Sequence, residues 1–527
     1  MRRLASVFVL SCLAVTAEDS IAPPRRVGVG VTQRRLTLDR TVELAISSNL
    51  DVAIERTNVD TATEAVHGAH GNFDPTFSWQ PSFGDSNTPA ESLLQGWNGV
   101  TRQRAATQTF AWRQKTPWNG LSLDAEFDNG RVTSGNPFVS LSPFYTSQLT
   151  LSLTQPLLRG RETDADRALV KIRCSQRDGT AAELEIRAIE VAARVELAYW
   201  DLVAVRRRAE VAAESANLAR VQSEQDQRMI AAGSLPSVEF SAVQAELEAR
   251  MDDLYRATGE ITEIENTFKA LLARDRRDSL WHDEILPLDI GAVGPPAVIV
   301  IQDAVAEALR RRPELKTVDA SRAANRVQTQ QDANLVKPQV NFVASYSLAG
   351  LAGAIRPASG PVVQFAPGIV LPASLEGGLG SAISSLFAGN YQSVQAGFGL
   401  DFTVRNRTAR ANLSSDAIAG KRLELMRGRA EQAIEAQVRN ALQALETAHQ
   451  RQKAAAAGMD AAKDKLDSES RLFTAGESTN FLVLTRQNEY SAARRRQVEA
   501  DAAFNKAVSQ YNSAVGTTLS SRRIEVK

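Results

Sequence analysis

Phe73 to Phe83, FDPTFSWQPSF, decides how the rest of the chain is read. Its odd positions, Phe73, Pro75, Phe77, Trp79, Pro81 and Phe83, are apolar, and its even positions, Asp74, Thr76, Ser78, Gln80 and Ser82, are polar or small. A period of two is that of a β-strand whose two faces meet different surroundings. About ten residues is also the length at which a tilted strand crosses a bilayer. An edge strand of a soluble sandwich has the same pattern, so the flanking sequence has to decide.

The N-terminus narrows the compartment. Met1 to Ala17 supplies basic Arg2 and Arg3, an apolar run from Leu4 to Val15 and a small-x-small site at Val15-Thr16-Ala17. That reads as a secretory signal over 1–17, too short to span a membrane. A flexible arm is expected over 18–35. Cys12 follows Val9-Leu10-Ser11, a faint lipoprotein cleavage box that Leu10 fits poorly. Cys174 then stands alone in the exported chain, so no disulfide framework is expected, and Cys174 reads as a small buried filler. No other segment approaches the ~18 uninterrupted apolar residues of a spanning helix. If the chain resides in a membrane it must do so as a closed barrel. The 61 basic and 61 acidic residues cancel, and no charge block points to a nucleic-acid partner.

A repeat organises the rest. LTLDRTVELAISSNLDV from Leu36 aligns without gaps on IVIQDAVAEALRRRPEL from Ile299, with Val42 on Val305, Ala45 on Ala308 and Ile46 on Leu309. The same register puts Pro75 on Pro338, Phe77 on Val340 and Trp79 on Phe342. With small shifts, EVAAR at Glu190 lies on EAQVR at Glu435, and Ala232-Gly233 on Ala475-Gly476. This reads as an internal duplication, 36–275 and 299–516, followed by a C-terminal tail at 517–527.

Each copy reads helix, strand, loop, strand, very long helix, turn, long helix. Leading helices are expected over Asp39–Gly71 and Gln302–Val336, and strands near 73–83, 147–158, 338–348 and 391–404. The apolar strand residues assigned to lipid are Phe73, Phe77, Trp79, Leu149, Leu151, Leu153, Phe342, Tyr346, Phe398 and Phe402. Long helices are expected near 163–231, 238–273, 408–474 and 481–515. Leu184, Ala188, Val191, Val195, Ala198, Leu202, Val205, Ala209, Ala212, Ala216 and Ala219 step by alternating four and three, a coiled-coil seam. Ile434, Val438, Ala441, Leu445 and Ala448, then Gln452, Ala455, Met459, Ala462 and Leu466, repeat it. Close to seventy residues at ~1.5 Å each make a rod on the order of 100 Å. The Pro- and Gly-rich stretch 276–298 reads as a strap around the rods. A further hairpin is expected around Pro117 to Gly120, with Phe110 and Trp112 on one arm and Leu121, Leu123, Ala125 and Phe127 on the other, either outside the membrane or widening the barrel.

Four strands cannot close a barrel, since about eight is the observed minimum. Several chains must therefore share one. On the duplication, NFDPTF at Asn72, TQPLLRG at Thr154 and the turns at Gly233 and Gly476, the chain resembles the TolC-type outer-membrane efflux proteins over almost its whole mature length. The resemblance implies a mainly α protein with a membrane β-barrel: a homotrimer whose twelve-stranded transmembrane barrel sits on a twelve-helix periplasmic coiled-coil tunnel. It implies a passive exit duct in the outer membrane of a Gram-negative-type cell, serving a tripartite efflux or type I secretion system with a periplasmic adaptor and an inner-membrane pump. In that family an acidic ring narrows the tunnel six residues past the turn glycine. Glu239 stands there in the first copy and Leu482 in the second, with Thr485 one turn on. A weak cation-attracting collar of Glu239 and a dry constriction at Leu482 are expected. The turn residues Gly233, Ser234, Gly476 and Glu477 resemble the family's adaptor-docking tips.

Chemistry is conspicuous by its lack of parts. His67 and His70 are spaced like metal ligands but have no third ligand nearby. Gly28 and Gly30 in VGVGV lack the helix and third glycine of a dinucleotide loop. Arg206–Arg208, Arg310–Arg312 and Arg494–Arg496 read as solvated faces. No catalysis, cofactor or metal is expected. The competing reading is a periplasmic coiled-coil scaffold or adaptor without a pore, which the four alternating strands disfavour. A porin acting alone has no need of such rods.

Overall fold

The computed structural model describes residues 24–30, 32–90, 99–232, 238–289, 299–356 and 371–524. The signal segment, Cys12, Gly233 and Ser234 lie outside them. The chain divides into two compact units, one of Met1–Asn58, Ala181–Lys316 and Gly428–Lys527, the other of Val59–Thr180 and Thr317–Arg427. Among the described residues no helix is long and apolar enough to cross a membrane.

Helix α1 (Leu38–Ser48) starts where the Thr37 hydroxyl accepts from the Arg40 amide at 3.4 Å. It stops at Asn49, whose backbone is extended, and α2 (Leu50–His70) follows at once. The expected single helix over Asp39–Gly71 is therefore two. Asn49 breaks it because its side chain serves elsewhere: Oδ1 accepts from the Asp51 amide at 2.9 Å, and Nδ2 donates to the Leu271 carbonyl at 2.9 Å.

The long helices are α3 (Ala165–Ala231) and α4 (Val238–Leu272). On α3 the seam residues Leu184, Ala188, Val191, Val195, Leu202, Val205, Ala216 and Ala219 are buried. The second leading helix also divides, into α5 (Ile301–Arg311) and α6 (Pro313–Val336). Proline drives its predecessor out of the helical region, and Arg312 is extended. Arg312 then donates to the Ala514 carbonyl at 3.1 Å and to Gln437 at 2.8 Å. Helices α7 (Leu379–Phe387), α8 (Arg407–Thr474) and α9 (Asn480–Val515) complete the set. Ala304, Ala308, Leu315, Ile434, Val438, Ala514 and Val515 close one core between α5, α6, α8 and α9. Beyond Leu445 and Ala448, which are buried, Ala455, Met459, Ala462 and Leu466 of the same seam are only half-buried.

The N-terminal arm and the strap hold each other in the helical unit. Strand β1 (Gln33–Leu36), expected at the end of a flexible arm, pairs with a strand of the strap, Glu284–Pro287. Arg26 donates to Glu265 at 2.7 Å and to Glu284 at 2.6 Å, and Arg206 reaches the same two carboxylates at 3.2 and 3.0 Å. Lys269, fully buried, lies 2.8 Å from Glu265. Arg206 and Arg312 are thus half-buried ion-pair partners rather than solvated residues.

The other unit is built on one six-stranded antiparallel sheet. It comprises β2 (Thr76–Pro89), β3 (Val100–Lys115), β4 (Ser122–Ser134), β5 (Leu141–Pro156), β7 (Gln339–Ile355) and β8 (Gln392–Asp401), β6 being the strap strand, and adjacent strands in that order are paired. The further hairpin, whose place was open beside the four expected strands, is β3 and β4 and lies within the sheet. Among the described residues this sheet therefore has six strands, not four. Strand β2 also runs on to Pro89, because Gly84–Pro89 pairs with Val100–Ala105. A backbone ladder extends a strand whether or not its side chains alternate.

Candidate membrane wall and helical tip

Directly paired residues of a sheet point to the same face, so the register sorts the side chains. Trp79 pairs with Phe110, Phe110 with Phe127, Phe127 with Leu149, and Leu149 with Leu348. One step along, Phe77, Trp112, Ala125, Leu151, Tyr346 and Val394 form the next row. The expected residues Phe77, Trp79, Leu149, Leu151, Leu153, Phe342, Tyr346 and Phe398 all fall on this one face, together with the hairpin's Phe110, Trp112 and Phe127. Trp79 stacks on Phe110 at 6.2 Å and Phe342 leans on Phe398 at 5.4 Å. Along β2 and β8 the face is bare: Phe77 is 80% exposed, Phe83 75% and Phe398 74%. Phe73 and Phe402 are outside the strands. Phe73 sits in a helical turn at Gly71–Phe73, half-buried, and pairing begins only at Thr76 because Asp74 and Pro75 still turn the chain. Phe402 follows the end of β8 and is 66% exposed.

The opposite face is polar. Ser78, Thr109, Asp128, Thr150 and Ser345 lie there, and β4 lines it with Asp124, Glu126 and Asp128 in a column. Asp124 is 3.5 Å from Arg113, and Asp128 accepts from Thr109 at 2.5 Å. Asp401 of β8 falls on the same face, opposite Gln339.

Among the described residues both outer edges of the sheet are open. Strands β2 and β8 each pair there on one side only, over fourteen and ten residues. All of β8 is exposed.

In the helical unit, α8 ends in a tight turn. Gly476 has φ +79°, a left-handed conformation that glycine adopts without strain, and its amide donates to the Phe473 carbonyl at 3.0 Å. Glu477 is exposed, its amide donating to Leu472 at 2.9 Å. Leu482 is 38% exposed on the first turn of α9, and the half-buried Thr485 donates its hydroxyl to the Phe481 carbonyl at 2.8 Å. Glu239 lies in the first turn of α4, its side chain outside the described residues.

A buried polar knot near this turn was not legible in the sequence. Asn480 donates to Asp226 at 2.7 Å, and Gln222 donates to Asp226 at 2.9 Å and to Asn480 at 3.1 Å. Asp226 is completely buried. Asn480 is turned inward to α3, and α9 starts without a side-chain cap. Its signal was weak, since Gln222 and Asp226 sit in an ordinary polar run.

No cluster able to hold a metal occurs among the described residues. His67 is exposed beside Glu64 at 3.4 Å. Cys174, expected to be buried, is free and half-buried.

No protein-family description matches the chain, and no curated protein sequence matches it. Solved structures do. The CmeC outer membrane channel of Campylobacter jejuni aligns at TM-score 0.60 and 13% identity, covering 91% of this chain and 86% of that one. The MtrE outer membrane channel of Neisseria gonorrhoeae, in its open state, aligns at 0.59 and 14%, covering 96% of each chain. The outer membrane protein VceC of Vibrio cholerae aligns at 0.58 and 14%, covering 91% of this chain and 96% of that one. At such identity the likeness is one of fold. Element order, sheet and long helices together give the chain the fold of the TolC-type outer-membrane channels.

Proposed function

We propose that this protein is an outer-membrane exit duct, assembled from three copies, that conducts substrates passively from periplasm to exterior. The observation that carries the reading is the six-stranded sheet with one bare apolar face, one polar face and two open edges. In hydrocarbon each unpaired backbone group costs several kcal/mol, so β2 and β8 must find partners. Six strands are too few to meet each other around a lumen. The simplest completion pairs β2 of one copy with β8 of the next, apolar face to lipid and polar face to the channel.

Three copies then give eighteen strands, in place of the twelve expected from four strands per chain. Strands about 4.8 Å apart and tilted about 40° make a barrel about 36 Å across for eighteen, against about 24 Å for twelve. The hairpin β3–β4 is thus a device that widens the bore.

The helical side of the proposal keeps the two copies of the repeat. Long helices of 67 and 68 residues and returning helices of 35 and 36 support a duplication, as do the breaks at Asn49 and Arg312, which occupy equivalent positions. Glu239 of each chain would form a weak cation-attracting collar at the tunnel tip and Leu482 a dry constriction, with Thr485 one turn on. The turns at Gly233, Ser234, Gly476 and Glu477 would meet the periplasmic adaptor of an inner-membrane pump. The half-buried lower seam of α8 is apolar surface that neighbouring copies would cover.

Extraction and conductance test this. A barrel leaves membranes only in detergent, migrates as a trimer and forms channels in planar bilayers. A scaffold leaves in carbonate, and monodisperse single chains that never insert into vesicles would end the proposal.

A further inference from the structure

The apolar face of the sheet does not stay apolar to its far end. Beyond Trp112 and Phe110 on β3 the same face carries Gln108, Ala106 and then Arg104 and Arg102. The register sets Asp85 of β2 opposite Arg104, and Arg131 of β4 opposite Ala106. Arg102 and Arg104 share Asp85, at 2.5 and 3.2 Å. Arg131 is exposed and faces Tyr145 on β5, with no carboxylate beside it among the described residues. Arg102 and Arg104 thus share one carboxylate, and Arg131 has none among the described residues, beyond the aromatic and aliphatic rows of the face.

Their height is also specific. From Gln114, level with Leu123, to Arg104 is ten residues. That is ~33 Å along a strand and ~25 Å along the membrane normal at a tilt of about 40°, the height of the lipid-facing band of an outer-membrane barrel. The helices α2, α3, α6 and α8 all leave the opposite end of the sheet, at Thr76, Pro156, Gln339 and Asp401. The arginines accordingly stand at the outer boundary.

Two features make the place receptive. Below the arginines lies a groove of about 370 Å³ lined by Phe77, Trp79, Phe110, Trp112, Phe127 and Leu149. Farther along the same face α7 lies against β5 and β7, above Gly350, so closely that a side chain there would meet the Ala382 carbonyl at 2.0 Å. Helix α7 keeps Leu379 and Phe387 exposed.

We propose that Arg102, Arg104 and Arg131 bind the phosphate of a phosphorylated outer-leaflet lipid whose acyl chain lies along the aromatic groove. The inference rests on the reading of the apolar face as the lipid-facing one. Arginine forks match phosphate oxygens in pairs, and a low-dielectric rim strengthens each charge-assisted bond. Lipid bound here would fill the seam between headgroups and wall at the hairpin that widens the bore.

The test uses the full-length protein in detergent, stripped of lipid and titrated with bis-phosphorylated lipid A or its dephosphorylated form, with lipids retained per chain read by native mass spectrometry. The phosphorylated form is expected to be retained and its binding to fall with added salt. The double variant R104Q/R131Q should weaken retention about tenfold, and R104K/R131K should restore part of it. Equal retention of the two lipids overturns the proposal, as does unchanged retention by an assembled R104Q/R131Q protein. Displacement by equimolar inorganic phosphate would overturn it too, assigning the arginines to a soluble anion. If the double variant does not assemble, the wild-type comparison of the two lipids still decides. A protein that fails to insert into vesicles sinks the wall reading instead; one that inserts and conducts without preferring the phosphorylated lipid sinks only this one.

Discussion

Replacing Glu265 by glutamine should loosen the strap far more than removing any single cation around it. Glu265 is 1% exposed and neutralises three groups: Lys269 at 2.8 Å, Arg26 at 2.7 Å and Arg206 at 3.2 Å. Lys269 is wholly buried, and its other polar neighbour is the Trp281 carbonyl at 3.3 Å. In E265Q that ammonium loses its counter-ion while remaining out of water, and breaking a buried pair in this way costs about 3–5 kcal/mol. At about 1.4 kcal/mol per decade, local opening of the strap should rise by roughly two to four orders of magnitude. Arg26→Ala leaves Glu265 with Lys269 and Arg206 and should cost about 1–2 kcal/mol. Lys269→Met leaves the carboxylate with two arginines. The double variant E265Q/K269M removes the stranded charge together with its former partner, so it should be more stable than E265Q alone by about 1–3 kcal/mol. Hydrogen exchange of the peptides covering β1, 33–36, and β6, 284–287, reads this directly. If E265Q exchanges within about threefold of the wild type, or if the double variant is the worst of the set, the buried ammonium is not what Glu265 holds in place.

The polar face of β4 makes a second prediction: E126Q/D128N should lower cation preference in a planar-bilayer reversal potential, and an unchanged potential would mean that this face does not line the conduit. Helix α7 makes a third. Gly350→Val puts side-chain atoms where the backbone of Ala382 and Leu386 already lies, so α7 should lift at a cost of about 1–3 kcal/mol and become open to protease; undiminished protection would show that it is not seated there. The fourth concerns Asp416 on α8. Burial, and then Asp332 beside it, push its carboxyl from the ordinary 3.8 to about 6. The folded chain holds this proton more tightly than the unfolded one, so the contribution favours folding at low pH and is lost as pH rises from about 4 through about 6. Asp416→Asn should flatten that decline and raise the melting temperature at pH 7.5; a lower melting temperature there would contradict the repulsion.

How far the wall could be read from sequence follows from what fixes each part of it. Face membership is a period-two property of the chain itself, so Phe77, Trp79, Leu149, Leu151, Leu153, Tyr346 and Phe398 could be placed together before any register was known. Strand ends are fixed by the neighbour: nothing in GDSNTP at 84–89 alternates greasily, and these residues are extended because 100–105 are there to pair with them. For the same reason the hairpin at Phe110 and Phe127 was visible as a hairpin while its place inside or outside the sheet stayed open, since membership depends on β2 on one side and β5 on the other. Other misses had local signals. Pro313 forbids a straight helix through Arg312, and Arg206 directly follows the buried seam residue Val205. The unpaired edges of β2 and β8 carry this logic one level up. They are long, and among the described residues their outer backbone groups have no strand partner, so on the proposed reading the information that completes them lies in another copy of the same sequence. On that reading the number of strands in the wall would be set by lateral pairing between chains, and one further hairpin in each copy would enlarge the bore without altering either edge.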